Sequence, residues 1–359
     1  MSFGLICRAR SGTPRLLDGD EPFRFVLANA YYLQEEAARG RIDLVDETFS
    51  KLARLGCRVV RTWAFNDDPN KADSAMRRSL GALEDTGMRG LDHVLARARA
   101  HGVRLILPLV NYWNAYGGTR QWCAWHGLRD PIEGDARFFT DARVCSSFAE
   151  HVARLLERRN TVTGERYGDD PTVLCWELMN EARSDGMGNE DLLAWVVDLG
   201  SVVRTHARQL VSLGDEGTTT DIIALDTIDL GSTHLYPEKW GVSLKRTRDA
   251  GVEWIDEHVR IAHAVGKPSY VGEFGLANEG AVEHRMSLAE RRVIYRVWLD
   301  AAERAGAVGI GPWMFAYDSR EDDWDDFTWY LRDGLTDGAS ENRYADLVAE
   351  AAARFKTRA

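Results

Sequence analysis

The stretch Val103-Arg104-Leu105-Ile106-Leu107-Pro108-Leu109-Val110 decides the fold. It is almost continuously apolar, where a strand with one wet face would alternate, so it reads as a strand covered on both sides. It stops abruptly at the polar, aromatic Asn111-Tyr112-Trp113. Before it, residues 91–100 recur at helical spacing and Gly102 sits where a left-handed helix cap favours glycine. The same alternation repeats outward along the chain. Strand-like runs fall at 23–30, 57–63, 103–110, 172–177, 210–213, 231–235, 269–274 and 307–315. Helical runs fall between and after them, at 42–55, 91–100, 138–158, 190–210, 254–264, 288–305 and 344–355. Asp170-Pro171 and Lys267-Pro268 mark breaks just before the fourth and seventh strands. Eight covered strands alternating with helices predict an α/β fold, a single (β/α)8 (TIM) barrel. The fifth unit is the weakest, because 215–230 leaves little room for a full helix.

No linker or composition shift divides the 359 residues, so the whole of 1–359 reads as one domain, with a long insertion after the third strand at about 111–138. Forty-five basic residues against 56 acidic ones give a net charge of −11, with no basic stripe; this excludes a backbone-neutralising nucleic-acid binder. No apolar run is long enough to span a bilayer, so no membrane partner is expected. The opening Met1-Ser2-Phe3-Gly4-Leu5-Ile6-Cys7 lacks the pattern of a secretory signal, so a cytoplasmic protein is expected; a secreted chain whose signal had been removed would read the same. Five cysteines show no zinc spacing. Cys57 and Cys175 fall in strand-like runs as buried thiols, and a single pair such as Cys123–Cys145 stays open. Twelve tryptophans is a high count, and indole rings both fill cores and stack on flat ligand faces.

A barrel of this type places its active site at the C-terminal ends of the strands. Here those ends read Asn29-Ala30-Tyr31-Tyr32, Arg61-Thr62-Trp63, Asn111-Tyr112-Trp113, Trp176-Glu177-Leu178-Met179-Asn180-Glu181, Thr233-His234-Leu235-Tyr236, Gly272-Glu273-Phe274-Gly275 and Pro312-Trp313. Two carboxylates stand out, Glu181 after strand four and Glu273 on strand seven. Hydrolysis of a glycosidic bond needs a proton donor for the leaving oxygen and a second carboxylate for the anomeric carbon. At a separation of roughly 5 Å the second is a nucleophile and configuration is retained. The donor is expected to have a raised pKa, from burial and its carboxylate neighbour.

These motifs, together with Arg61-Thr62-Trp63-Ala64-Phe65, Tyr116-Gly117-Gly118, Val211-Ser212-Leu213-Gly214-Asp215-Glu216-Gly217 and His234-Leu235-Tyr236-Pro237 with Trp240, resemble the retaining glycoside hydrolases of family 5. Within that family the chain is most similar to the β-mannanase branch, over residues 25–313 or so. The resemblance implies Glu181 as general acid/base and Glu273 as nucleophile. It implies Asn180 at the 2-hydroxyl, Arg61 and Tyr236 as partners of the nucleophile, and His234 beside the acid/base. Trp313 would underlie the −1 sugar, Trp113 would form a second cleft wall beside Asn111, and Arg183 would reach an aglycone subsite or else form a loop ion pair.

The implied substrate is β-1,4-mannan or manno-oligosaccharide, with no cofactor and no metal. An exo-β-mannosidase, or a cellulase or other β-glucan hydrolase, would use the same machinery. A non-catalytic sugar-binding barrel would not need the paired glutamates. Trp195, Trp254 and Trp298 lie in helical runs and are expected in the core, whereas Trp63, Trp122, Trp125 and Trp240 are candidates for the cleft rim. The acidic run Glu321-Asp322-Asp323-Trp324-Asp325-Asp326 lacks calcium-loop spacing and reads as solvated.

Overall fold

The computed structural model describes residues 3–9, 12–81, 83–277, 286–317, 327–331 and 344–357. The chain opens with a three-stranded antiparallel meander: β1 (Ile6–Arg8), β2 (Leu16–Asp18) and β3 (Glu21–Phe23). Eight parallel barrel strands follow: β4 (Phe25–Asn29), β5 (Val59–Arg61), β6 (Arg104–Pro108), β7 (Val173–Glu177), β8 (Leu210–Ser212), β9 (Gly231–Leu235), β10 (Ser269–Phe274) and β11 (Gly309–Pro312). Every residue in these eight is buried, which is why none of them alternates in sequence. Their hydrogen-bonded order is β8-β7-β6-β5-β4-β11-β10-β9. The remaining seam, between β8 and β9, is closed by Asp229. Its backbone N–H donates to Val211 O at 2.8 Å and its Oδ2 accepts from Val211 N at 2.8 Å.

The helices covering the barrel are α1 (Leu33–Ala38), α2 (Ile42–Arg54), α3 (Asp85–Ala100), α4 (Gly118–Trp125), α5 (Arg137–Thr140), α6 (Ala142–Glu157), α7 (Asn189–His206), α8 (Thr220–Ala224), α9 (Leu244–Ala264), α10 (Leu288–Ala305) and α11 (Ala345–Thr357). None of them is long and apolar enough to cross a membrane. Phe25, Leu27, Val59, Ile106, Cys175, Leu210, Leu230, Tyr270 and Val308 form one buried cluster with Ile6, Leu16 and Phe23. Because it draws on or beside all eight strands, it is the barrel interior. The meander therefore plugs the end opposite the strand C-termini, and any ligand must enter from the other mouth.

Several sequence-based boundaries change; the helix expected over 254–264, for one, begins at Leu244. The first run divides at Arg24, with Phe23 closing the meander and Phe25 starting the barrel. The helix expected over 138–158 breaks at Asp141, whose side chain caps α6 by accepting from Arg143 N at 3.0 Å. As expected, the fifth unit has no full helix and carries only the five-residue α8. The insertion is not a bare loop: α4 folds within it, and fully buried Trp122 donates from Nε1 to Asp67 Oδ2 at 2.8 Å. Trp122 therefore packs beneath the insertion and does not rim a cleft. All five cysteines are free thiols, Cys123 and Cys145 included. Burial pushes Cys57 up to about 12. The acidic run 321–326 lies outside the described residues.

Candidate active site

Strand β7 delivers the first part of the site. Glu177, at its last position, is completely buried and is gripped by Arg61 from β5: Nε lies 3.0 and 2.9 Å from its two oxygens and Nη2 lies 2.7 Å from Oε2. Tyr270 of β10 donates its hydroxyl to the same carboxylate. Beyond Glu177 the chain stays pinned to its neighbours, with Asn180 N–H to Val110 O at 2.8 Å and Tyr112 N–H to Asn180 O at 3.1 Å. Glu181 then adopts φ 55°, a left-handed conformation that a glutamate takes only where its surroundings impose it. Its N–H is fixed to Gly214 O at 2.7 Å. The turn sends the carboxylate over the barrel mouth, where Oε1 meets His234 Nδ1 at 2.9 Å and Oε2 accepts from the Trp113 indole N–H.

Strand β10 delivers the second part. Between Val271 and Glu273 its pairing with β9 slips by one residue, so Gly272 is extra and Glu273 falls opposite His234. Such a bulge re-aims the side chain that follows it. A Cβ on residue 272 would stand 3.0 Å from His234 Nε2, so glycine there leaves the imidazole in place where a larger residue would push it by a few tenths of an ångström. Glu273 Oε1 accepts from Arg61 Nη1 at 2.6 Å, and Oε2 accepts from Tyr236 Oη at 2.6 Å and lies 3.6 Å from His234 Nδ1. Oxygens of Glu181 and Glu273 and a nitrogen of His234 all lie within 4.8 Å of one another. Carboxyl groups this close leave no room for a water between them and match the retaining geometry, about 5–5.5 Å, rather than the wider inverting one.

Arg61 ties the two halves together, because Nη2 also donates to Asn180 Oδ1 at 2.6 Å. That bond fixes the Asn180 amide, whose Nδ2 donates to Asn111 Oδ1 at 2.9 Å, and Asn111 in turn donates to Ala115 O at 3.1 Å. Burial opposes the Arg61 charge, but Glu177 and Glu273 outweigh it and raise its pKa.

The expected raised pKa of Glu181 is not what the geometry produces. Burial does push it up, yet the His234 hydrogen bond and charge, with the Trp113 indole, pull it down to about 2. His234 is shifted up: burial works against its charge, but Glu273 and Glu181 prevail. The proton of the resting pair thus sits on His234, 2.9 Å from the oxygen that would use it. Both oxygens of Glu273 are already engaged by Arg61 and Tyr236, so this trio is arranged to hold and pass a proton.

The flanks complete a groove. Half-buried Trp113 carries the Arg183 guanidinium over its ring at 4.9 Å, and Arg183 is ion-paired to Glu216; the loop ion pair anticipated for Arg183 therefore exists, beside Glu181. On the other side Trp313 is 8% exposed and stacked on Tyr31 at 5.5 Å between ring centroids and 7° between planes. Trp63 is buried among Tyr31, Phe65 and Tyr116, behind this platform rather than on the rim. Trp240 packs on Trp254, which is half-buried and donates to Thr233 Oγ1 at 2.6 Å; Trp195 and Trp298 are in the core. Sequence reasoning placed Glu177 and Tyr31 at strand ends but gave neither a role. Glu177 had a signal: it is an isolated charge inside a run that is otherwise apolar on both faces.

The profile of proteins described as "GH family 5 beta-mannosidase-like" matches residues 26–350. The chain belongs to this family. As a glycoside hydrolase family 5 protein it is 34% identical over 361 residues to mannan endo-1,4-beta-mannosidase 2 of Oryza sativa subsp. japonica, covering 89% of this chain and 79% of that one. A second relative from the same plant, 32% identical over 306 residues, is spanned over only 61% of its length. Among solved structures, the endo-1,4-beta-mannanase of Rhizomucor miehei superposes with a TM-score of 0.82 at 26% identity, covering 98% of this chain and 99% of that one.

Proposed function

We propose that this chain hydrolyses internal β-1,4 bonds of mannan and manno-oligosaccharides with retention of configuration, using Glu273 as nucleophile and Glu181 as acid/base. The observation that carries the reading is the approach of the two carboxylates within one network that aims Glu273 and holds a proton beside Glu181.

In the first step Glu273 Oε attacks the anomeric carbon as the bond to the leaving oxygen breaks. The leaving oxygen takes a proton from Glu181, which draws it from His234 Nδ1. Arg61 and Tyr236 hold Glu273 in line and lose the strength of their bonds as its charge is spent. One Asn180 amide proton goes to Asn111, so the second serves the 2-hydroxyl, a contact that tightens as the anomeric centre becomes cationic. Conversion of Glu273 to an ester removes the main anion supporting the His234 charge. In the second step Glu181 takes a proton from water, the hydroxide attacks the anomeric carbon, and Glu273 leaves as carboxylate. The proton returns to the Glu181–His234 pair, so the cycle closes. Trp313 supplies an aromatic floor for the −1 sugar, and Trp113 with Arg183 walls the leaving-group side.

The test is a product spectrum on mannan, manno-oligosaccharides, an aryl β-mannoside and a β-glucan. The reading expects a spread of manno-oligomers from mannan. Mannose alone would replace endo with exo action, and activity confined to the glucan would overturn the substrate assignment.

A further inference from the structure

The segment Gly214-Asp215-Glu216 follows β8, and Asp215 has no part in the chemistry above. Its placement is specific. Gly214 O accepts from Glu181 N–H at 2.7 Å and Glu216 O accepts from His234 N–H at 2.7 Å, so the carbonyls on either side of Asp215 hold the backbones of both members of the proton-carrying pair. Gly214 has φ 85°, and a Cβ there would stand 2.1 Å from Met179 O, so the segment is seated as closely as the backbone permits. Asp215 is 4% exposed and turned into the barrel, with Oδ1 accepting from Ser232 Oγ at 2.7 Å. Ser232 and His234 are two residues apart on β9 and share its inner face, so the Asp215 carboxylate lies about one layer, ~7 Å of strand rise, beneath the imidazole. Among the described residues, Asp215 Oδ2 and His234 Nε2 are both buried polar atoms without a partner in the protein. A buried acceptor and a buried donor left open in a polar pocket are what an ordered water joins.

We propose that Asp215 is a positioning residue for the acid/base, accepting through buried water from His234 Nε2–H so that the imidazole stays doubly protonated with Nδ1–H aimed at Glu181. The inference rests on the reading of Glu181 as acid/base. Burial lifts Asp215 to about 6 while Ser232 and the His234 charge hold it down, so the carboxyl is ionised at neutral pH and faces the imidazolium as an anion. The other charges acting on His234 are Glu181 from the β7 loop, Glu273 from β10, Arg61 from β5 and Glu216 from the β8 loop; Lys239 acts on Glu181.

The experiment follows kcat/KM against pH for Asp215→Asn, using aryl β-mannosides with a good and a poor leaving group. Removing the anion lowers the proton affinity of the pair. The alkaline limb moves down by about half a pH unit or more, and at pH 8 the poor substrate loses roughly 3-fold or more while the good one, which needs no acid, changes less than ~2-fold, with KM held. Ser232→Ala keeps the carboxylate but raises its pKa, so it gives a smaller shift of the same sign and serves if the first variant folds poorly. Equal losses on both substrates at every pH, or an unmoved limb in the folded variants, overturn the proposal. Glu181→Ala is run in parallel. If it lacks leaving-group dependence, the acid/base reading itself fails; if it shows that dependence and the limbs stay put, only the role of Asp215 falls.

Discussion

Replacing Arg61 by lysine keeps the positive charge and destroys the geometry. The guanidinium makes contacts of 3.0, 2.9 and 2.7 Å to Glu177, 2.6 Å to Asn180 and 2.6 Å to Glu273, all from a side chain 1% exposed. A single ammonium on a flexible stem cannot face three acceptors spread around a planar fork. Hydrogen bonds to charged groups contribute about 1.5–3 kcal/mol each, and lysine keeps roughly two of these contacts. Partial filling by water offsets some of the loss. The two glutamates left short of a partner then give a net destabilisation of about 3–5 kcal/mol, in line with other broken buried ion pairs. Catalysis suffers further, because Glu273 loses the group that aims it; a misplacement of about 1 Å reduces kcat by roughly 10²-fold. Urea unfolding and initial rates on an aryl β-mannoside, both at pH 7, measure the two effects. Arg61→Lys within about 1 kcal/mol and ~10-fold of the parent would refute the claim that this fork organises the site.

Glu273→Ala is expected to lose at least ~10³-fold in rate with its unfolding curve nearly unchanged, and Glu181→Ala to be crippled but partly restored by azide on substrates with a good leaving group. Trp122→Phe leaves buried Asp67 without its indole donor and should cost about 1–3 kcal/mol in urea while kcat/KM stays within ~2-fold; a large rise in KM would return Trp122 to the cleft. Because His234 is shifted above 6.5, its pairing contributes stability that is complete below 6.5 and is lost as pH rises through the folded value. The alkaline limb of kcat/KM should therefore fall above pH 6.5, and a limb at or below that value would count against a proton shared by Glu181 and His234.

The barrel was legible because parallel strands buried on both faces read as apolar runs, as 103–110 does. The site was legible because these runs end in charged and aromatic groups. The meander was harder. Its strands are three residues each, too short for periodicity, although Asp18-Gly19 between Leu16-Leu17 and Pro22-Phe23 carries a hairpin signal. Tryptophan looks alike in core and cleft, so Trp122 and Trp63 could be sorted only by what surrounds them. The location of the proton was also out of reach, since it depends on a 2.9 Å approach between residues 53 positions apart in the chain. Glu177 stayed hidden behind Glu181, the carboxylate we assign to the chemistry, while Glu177 is the one that secures Arg61.

The most direct test of the central claim is the anomeric configuration of the first-formed product, followed by proton NMR during rapid hydrolysis of an aryl β-mannoside. Double displacement between carboxylates within 4.8 Å predicts that β-mannose appears first and then mutarotates. Initial release of α-mannose would mean a single displacement by water and would contradict the nucleophilic role of Glu273.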